Sequence, residues 1–291
     1  FKYFRSEENL GSSKNFDLLL YTYATGVYGK YLCDDDMLID GEVISKAMRI
    51  IQRSGVKIVF SASVSLYEGI DREEKALSLG LDEVVPRQWW LENIGITKFG
   101  MAIFPSNCSG TVFELDRARK LGSFKEGMYY NDYEFALKCI LLDEETGYIN
   151  TPGHFERRHS GQDGRTSFSN ATKGIMLFQH VYDFGKDLGM DHAVIDGVRL
   201  RGILLFSRFF LIPNWFGEHG KTAGSIMGFY RELKKIDNRL PVALLTDPYS
   251  IVQFVTYNNR LYGMVMKLFR LIRSSRFVAS LRKRAYRRSS R

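Results

Sequence analysis

A run of apolar and aromatic residues breaks into three consecutive carboxylates in VYGKYLCDDDML, residues 27–38. The β-branched and aromatic residues of 27–32 predict a short strand. Asp34, Asp35 and Asp36 then fall where this strand ends. In an open α/β sheet, ligands bind outside the carboxyl ends of the strands, so the triplet marks a candidate site.

Three adjacent carboxylates repel one another unless water surrounds them or a cation lies between them. Oxygen ligands suit Mg²⁺ or Mn²⁺ better than Zn²⁺, and such an ion keeps several waters and also binds substrate phosphates. The triplet is therefore consistent with a nucleoside-diphosphate substrate. The alternative is a solvated acidic turn that caps a helix predicted at about 41–53.

Strand and helix patterns alternate along the first half of the chain and predict a mostly parallel α/β sheet. The strands are expected at 1–5, 27–32, 56–63, 101–104 and 147–150, and the helices at 14–24, 41–53, 114–121 and 132–142. Residues 156–162 are expected to form a polar loop. Trp89 and Trp90 are expected in the core rather than on a ligand platform.

The composition indicates a protein with an ample core and no disulfide framework. Of the 291 residues, 45% are hydrophobic, and the three cysteines, Cys33, Cys108 and Cys139, are widely spaced and odd in number. Such cysteine usage is typical of a reducing compartment. No signal peptide opens the chain, whose first residues look like the middle of a sheet, so a fragment or a processed chain is expected.

The net charge of +8 is concentrated at the C-terminus. No acidic residue follows Asp247, whereas 11 Lys and Arg do, which leaves 30 basic against 33 acidic residues in the body. Residues 261–291 are amphipathic and basic, which fits a helix lying on anionic lipid; a disordered basic tail is the alternative. Nucleic acid is not expected as a partner, because the aromatic residues are not interleaved with the basic ones.

A second apolar stretch, ILLFSRFFLIP at 203–213, is too short to span a bilayer and is interrupted by Arg208. It is expected to be either a buried helix or an interfacial one. Helices are also expected at 174–188 and 191–210.

Several short motifs occur in the order found in family 2 glycosyltransferases of the GT-A fold, which the chain therefore resembles. Within that family, it looks most similar to the abequosyltransferase-type enzymes. The motifs are ENLG at 8–11, KN at 14–15, ATG at 24–26, DDD at 34–36, NDYE at 131–134 and RRHSG at 157–161. The resemblance covers residues 1–170 and implies an α/β fold with a mixed sheet flanked by helices. Residues 171–291 lie outside the resemblance, and their own pattern predicts a helical extension that carries the basic amphipathic tail.

The resemblance implies roles for the acidic residues. Asp34 and Asp36 match the acidic DxD motif, in which Asp36 would hold Mn²⁺ or Mg²⁺ on the diphosphate and Asp34 would lie near the ribose or the metal. Asp132 matches the catalytic base. Judged from its position in the sequence alone, Asp132 could equally be a carboxylate that caps a helix. The residue before it is Asn131, where the family usually has Glu.

Arg157, Arg158 and His159 could together hold a diphosphate and supply a metal ligand, or could simply form a solvated loop. The resemblance implies further site residues. His159 matches a histidine that touches the metal or the diphosphate, and Arg157 matches a basic residue close to it. Lys14 falls where the family often has Arg near the nucleotide. Ser109 and Gly110 match the loop beneath the donor sugar. The family's first strand, its first helix and its base-reading acidic residue are expected upstream of Phe1.

The expected function is therefore that of an inverting, metal-dependent glycosyltransferase of the hexosyltransferase type. It would transfer sugar from a nucleotide-diphosphate sugar to a hydroxyl of a glycan or lipid-linked acceptor in cell-surface polysaccharide biosynthesis. The expected location is cytoplasmic, peripheral on the inner face of the cell membrane. The alternative is a catalytically inactive, transferase-like scaffold or a basic-tailed binding protein.

Overall fold

The computed structural model describes most of the chain before residue 252, with short gaps. The described residues are 4–67, 73–75, 79–95, 97–98, 101–102, 104–105, 108–122, 124, 130–158, 168–219, 223–246 and 250–251. Contacts between Cα atoms divide the chain into two compact units, Phe1–Phe206 and Ser207–Arg291.

The first unit alternates short strands with helices. Its helices and strands in chain order are α1 (Gly11–Asp17), a π-helical turn (Leu18–Tyr23), β1 (Tyr28–Lys30), β2 (Met37–Leu38), α2 (Glu42–Ser54), β3 (Ile58–Tyr67), β4 (Glu73–Lys75), β5 (Val84–Pro86), α3 (Arg87–Asn93), β6 (Thr97–Lys98), β7 (Met101–Ala102), a 3₁₀ turn (Cys108–Gly110), β8 (Thr111–Glu114), α4 (Leu115–Ala118), a 3₁₀ turn (Arg119–Leu121), α5 (Asn131–Leu142), β9 (Glu145–Arg158), α6 (Phe168–Asp187) and α7 (His192–Phe206).

Seven strands form one mixed sheet in the order β1-β8-β3-β9-β2, with β4 on β3 and β5 on β9; β6 and β7 form a separate hairpin. The two longest strands, β3 and β9, run parallel, from the pair Val59–Gly147 to the pair Tyr67–Arg158. The other strand pairs described are antiparallel. The expectation of a mostly parallel sheet was therefore wrong, because β1, β2, β5 and β8 each pair antiparallel with a strand that is distant in the sequence. The mixed sheet implied by the family resemblance is confirmed.

Helix α2 covers one face of the sheet with a narrow apolar stripe. Its buried residues Val43, Ala47, Ile50 and Ile51 follow helical spacing and pack on sheet residues that include Val59, Val112 and Ile149. Gly55, in the left-handed conformation at φ 79°, ends the helix. This packing fixes the sheet beneath the acidic triplet, which lies between β1 and β2.

Helices α6 and α7 belong to the first unit, where α6 packs on both α5 and α7. The sequence-based boundary at residue 170 therefore falls inside this unit, at the start of α6. Trp90 is fully buried, and its indole N–H donates to Thr146 Oγ1 at 2.9 Å, as expected of a core tryptophan.

The second unit is helical in its described part. It contains a π-helical turn (Ser207–Leu211), α8 (Ile212–His219), α9 (Ala223–Ile236) and α10 (Leu240–Thr246). Its core includes Trp215, Phe216, Phe229, Leu233 and Leu240.

Several sequence-based expectations can be compared with these elements. In the apolar stretch 203–213, Ile203, Leu205, Phe206, Leu211 and Ile212 are buried. Within the described part of the chain, no helix combines the length and the apolarity that crossing a bilayer requires.

The polar loop expected at 156–162 needs a correction, because Glu156–Arg158 continue the ladder of β9 with β3. His159 and the basic segment 261–291 lie outside the described residues. Phe4 and Arg5, the described part of the strand expected at 1–5, are not in a strand.

Candidate functional site

The acidic triplet forms a tight turn between β1 and β2. The backbone N–H of Asp36 donates to the carbonyl of Cys33 at 3.1 Å, which makes Asp34 and Asp35 the two central residues of the turn. Asp34 is exposed, whereas Asp36 is buried. The turn thus separates the three carboxylates into different environments.

The structure brings Asp35 and Asp36 together with Cys33. One carboxylate oxygen from each aspartate and the sulfur of Cys33 all lie within 4.8 Å of one another. Asp34, which the family resemblance pairs with Asp36, is not in this group. The sequence analysis included Asp35 in the acidic triplet, but the DxD assignment from the resemblance left it out, and Cys33 was not selected as a site residue.

This donor set can be tested against the expected metal. Two carboxylates at this separation fit Mg²⁺ or Mn²⁺, which take oxygen ligands and keep open positions for water and phosphate. The Cys33 sulfur is a soft ligand that these ions do not prefer. Asp35 and Asp36 therefore fit the ion, and Cys33 is a neighbour rather than a preferred ligand.

A half-buried lysine lies beneath the turn. Lys30 Nζ, at the end of β1, donates a hydrogen bond to the backbone carbonyl of Ser109. Burial lowers the pKa of Lys30 to about 8, although the nearby Cys108 and Asp36 act in the opposite direction. Lys30 is thus a partly desolvated cation close to the Asp36 carboxylate. The only feature of the sequence that could have indicated this role for Lys30 is its position inside a strand with aromatic residues.

Ser109 and Gly110 support the turn from below. Ser109 Oγ accepts a hydrogen bond from the backbone N–H of Cys33 at 3.2 Å, and the carbonyl of Gly110 accepts one from Ser61 Oγ at 3.1 Å. Both residues are buried in the 3₁₀ turn before β8. The loop expected under the donor sugar therefore lies directly under the acidic turn.

Asp132 lies in the first turn of α5 and is partly exposed. The residue before this helix, Tyr130, has φ 69°, in the left-handed region that non-glycine residues rarely adopt. The Tyr130 ring packs where a Cβ on Gly174 would lie, at 2.6 Å, and edge-on against Phe206 at 5.1 Å between centroids. Aromatic packing thus holds the backbone from which Asp132 projects.

Asp132 also lies in the electrostatic neighbourhood of the acidic turn. A hydrogen bond with Cys108 lowers the pKa of the Cys33 thiol, while the carboxylates of Asp36 and Asp132 oppose that shift. The hydrogen bond with Cys33, then burial, raises the pKa of Cys108, and Asp132 raises it further. The structure therefore gathers Asp132, Asp36 and the two thiols at one site.

Asn131 joins α5 to α1. Its side-chain amide donates to Ser13 Oγ at 2.9 Å and to Ser12 Oγ at 3.2 Å. Asn131 is buried, and its Oδ1 has no hydrogen-bond partner among the described residues. The side-chain amide of Asn131 thus ties the Asp132 helix to α1.

An open groove of about 690 Å³ runs between α1 and the acidic turn. We call it the α1 groove. Its lining includes Ser12, Asn15, Tyr31, Cys33 and Asp34. Because Cys33 and Asp34 belong to its lining, the groove leads from α1 to the edge of the carboxylate cluster formed by Asp35 and Asp36.

Of the basic residues that the resemblance implies, Arg157 contacts the acidic turn, whereas Lys14 lies on α1. Arg157, near the end of β9, donates from Nε to the backbone carbonyl of Asp35 at 2.7 Å. Lys14 is exposed on α1, where its neighbours Ser12 and Asn15 line the α1 groove. His159 follows Arg157 by two positions and is outside the described residues.

A second histidine lies in the sheet close to this site. His154 on β9 is fully buried, and neither ring nitrogen has a hydrogen-bond partner among the described residues. Burial, with a contribution from Lys30, lowers its pKa to about 3. His154 is therefore a neutral residue at neutral pH, and sequence reasoning did not select it.

Comparison with known proteins rests on structure. No protein-family model matches this chain, and none of the curated proteins matches it in sequence. Its fold is similar to that of TarS, a glycosyltransferase of S. aureus. TarS 1–349 in complex with UDP-GlcNAc gives a TM-score of 0.56 at 11% identity, over 88% of this chain and 72% of that chain.

Two further TarS structures agree with this result. TarS 1–349 in complex with UDP gives a TM-score of 0.51 at 10% identity, over 84% of this chain and 68% of that chain. A longer TarS structure gives 0.53 at 11% identity, over 83% of this chain and 41% of that chain. The chain therefore has an α/β glycosyltransferase fold of the GT-A type, with a mixed sheet flanked by helices.

Proposed function

We propose that this protein is an inverting, metal-dependent glycosyltransferase of the hexosyltransferase type that uses a nucleotide-diphosphate sugar. One observation carries the proposal: the carboxylates of Asp35 and Asp36 converge beside Cys33, which lines the α1 groove, in the electrostatic neighbourhood of Asp132. A pair of oxygen ligands beside a groove and a separate carboxylate are the parts that metal-assisted glycosyl transfer requires.

The diphosphate would bind at the carboxylate cluster. Asp35 and Asp36 would hold Mn²⁺ or Mg²⁺, with Asp34 and His159 as the further candidates that the family resemblance supplies. The bound ion would neutralise the charge that develops on the departing nucleoside diphosphate. Arg157 lies beside the turn, where its cationic group would add to this stabilisation.

The donor would extend from this cluster along the α1 groove. In this proposal, Lys14 acts near the nucleotide from the exposed side of α1. Ser109 and Gly110 act indirectly, because their hydrogen bonds hold Cys33 and β3 beneath the donor. TarS has been crystallised with UDP-GlcNAc and with UDP, which makes uridine nucleotides the first to test.

Asp132 would serve as the general base. It would take the proton of an acceptor hydroxyl while the hydroxyl oxygen attacks the anomeric carbon from the face opposite the diphosphate. The bond from the anomeric carbon to the phosphate oxygen would break in the same step, and its electrons would leave with the diphosphate. A single displacement of this kind inverts the anomeric centre.

The acceptor and the cellular setting are proposed from the family resemblance and from charge. The acceptor would be a glycan or lipid-linked hydroxyl in cell-surface polysaccharide biosynthesis. The basic segment 261–291 would place the enzyme on the anionic inner face of the cell membrane.

Calorimetric titration with UDP, GDP, CDP and dTDP, each with and without Mn²⁺, tests the proposal. We expect one nucleotide to bind in the presence of Mn²⁺ and to lose roughly tenfold or more in affinity without it. The same titration of an Asp36→Asn variant is the control for the site. Binding of no nucleotide under either condition would contradict the transferase function and would favour the inactive scaffold.

A further inference from the structure

Two cysteines that are distant in the sequence meet at the site. The thiols of Cys33 and Cys108 are close enough to interact by a hydrogen bond, which shifts the pKa of each. Their backbones are also close, because the N–H of Cys33 donates to Oγ of Ser109, the residue after Cys108, at 3.2 Å. Cys139, the third cysteine, is buried in α5. The chain thus contains one dithiol pair and one separate thiol.

The two thiols differ in their access to solvent. Cys33 is partly exposed and lines the α1 groove, whereas Cys108 has an exposed fraction of 1%. A small oxidant that enters the groove therefore reaches Cys33 first. Cys108 then lies behind Cys33, in the position of a resolving thiol.

We propose that Cys33 and Cys108 form a reversible disulfide that turns the site off when the thiol pool becomes oxidised. A low-molecular-weight disulfide of the glutathione class would be the oxidant. Cys33 attacks this small disulfide, which gives a mixed disulfide on Cys33 and releases one small thiol. Cys108 then attacks the mixed disulfide and releases the second small thiol. Two protein thiols and one small disulfide thus become one protein disulfide and two small thiols. A disulfide in a reducing compartment is typically of this transient, regulatory kind.

The effect on nucleotide binding rests on the proposed function. In the reduced protein, the Cys33 sulfur lies within 4.8 Å of carboxylate oxygens of Asp35 and Asp36. A bond to Cys108 would draw Cys33 toward the buried 3₁₀ turn before β8. Because Cys33 begins the turn that carries both aspartates, the cross-link would displace that turn and weaken Mn²⁺-dependent nucleotide binding.

Mass spectrometry tests the chemical step without reference to activity. The folded full chain is equilibrated with glutathione buffers from fully reduced to fully oxidised, quenched with acid, and alkylated under denaturing conditions. We expect a peptide that joins Cys33 to Cys108 in the oxidised sample, with Cys139 still alkylated. A stable glutathione adduct on Cys33, with the Cys108 thiol intact, would overturn the proposal.

Three variants separate the roles of the cysteines. Cys139→Ala should form the cross-link as the parent chain does. Cys33→Ser should leave Cys108 unmodified in the folded protein, because Cys108 is buried. Cys108→Ser should stop at the mixed disulfide on Cys33. If Cys108→Ser does not fold, the outcome with Cys33→Ser still decides, since modification of its Cys108 thiol would contradict the proposed order of attack.

Calorimetry on the same samples tests the regulatory step. We expect oxidation to lower Mn²⁺-dependent affinity for the bound nucleoside diphosphate by roughly tenfold or more, and dithiothreitol to restore it. A cross-linked protein that binds with unchanged affinity would overturn the switch. If the reduced protein binds no nucleotide, the proposed transferase function fails, while the mass spectra still decide whether the dithiol forms a disulfide.

Discussion

Arg157 donates a hydrogen bond from Nε to the backbone carbonyl of Asp35 at 2.7 Å. This bond connects the end of β9 to the acidic turn between β1 and β2. It uses the main chain of Asp35, so it positions the turn from which the Asp35 carboxylate projects. The guanidinium also places positive charge beside the proposed diphosphate site.

Replacement of Arg157 by glutamine should weaken nucleotide binding more than folding. The variant loses both the bond to Asp35 and the positive charge, so we expect Mn²⁺-dependent affinity to fall roughly tenfold in calorimetry. Because Arg157 is exposed, the free energy of unfolding should change by less than about 1 kcal/mol. Arg49→Gln, an exposed change on α2, is the matched control. Equal losses of affinity in both variants would contradict a local role for Arg157.

The three aspartates can be separated by the same conservative change. Asp35→Asn and Asp36→Asn each remove a charged oxygen ligand from the cluster, so Mn²⁺-dependent affinity should fall by roughly a hundredfold. Asp34→Asn, outside the cluster, should lose far less. Calorimetry with Mn²⁺ and one nucleoside diphosphate measures all three. A greater loss in Asp34→Asn than in Asp35→Asn would favour the pairing that the family resemblance implies.

Sequence alone could not decide which carboxylates converge. Three identical neighbours differ only through the turn, which is closed by the hydrogen bond from Asp36 N–H to the Cys33 carbonyl. Helix α2, by contrast, was predicted to within about one residue at each end, because its apolar spacing and its terminal Gly55 are local signals. Local sequence patterns therefore predicted a helix such as α2, whereas the geometry of a single turn determines which aspartates can bind a metal ion.

Contacts between distant parts of the chain were also beyond the sequence. The contact of Lys30 with the Ser109 carbonyl and that of Asn131 with Ser13 depend on which strands and helices become neighbours. The order of the strands in the sheet carries that information, and the alternation of strands and helices predicted only their direction, which it gave incorrectly as mostly parallel. The residue types did not indicate these contacts, because a lysine in a strand and an asparagine at the start of a helix are both common on protein surfaces.

His154 should make stability depend on pH. Its pKa is lowered to about 3 by burial, whereas an unfolded histidine titrates near 6.5. Between these values the unfolded chain binds a proton that the folded chain does not, so stability falls as pH drops through this range. His154→Leu removes the effect, so from pH 7 to pH 5 it should lose about 2 kcal/mol less of its unfolding free energy than the parent.

Urea unfolding at the two pH values measures this difference. The exposed His192→Gln on α7 is the control and should lose stability as the parent does. An identical pH dependence in His154→Leu and in the parent would contradict the neutral, buried state of His154.

Gly174 should be needed for the conformation of Tyr130. A Cβ at Gly174 would lie 2.6 Å from the Tyr130 ring, so Gly174→Ala must displace the ring or α6. We expect a loss of about 1–3 kcal/mol in the free energy of unfolding, measured in urea. Gly217→Ala is the control, because this exposed glycine on α8 has open space around its Cβ position. It should be neutral or slightly stabilising. Equal stability of the two variants would show that Tyr130 is not held in this way.

Asp132→Asn should separate binding from chemistry. Asparagine keeps the size of the side chain but cannot accept the acceptor's proton, so Mn²⁺-dependent nucleotide affinity should remain within about twofold of the parent. Release of nucleoside diphosphate from the matching sugar nucleotide should fall by roughly 10² to 10⁴. Asp187→Asn, an exposed change on α6, controls for the loss of one negative charge. If Asp132→Asn lost affinity as Asp36→Asn does, Asp132 would belong to the ligand site, and another group would have to take the proton.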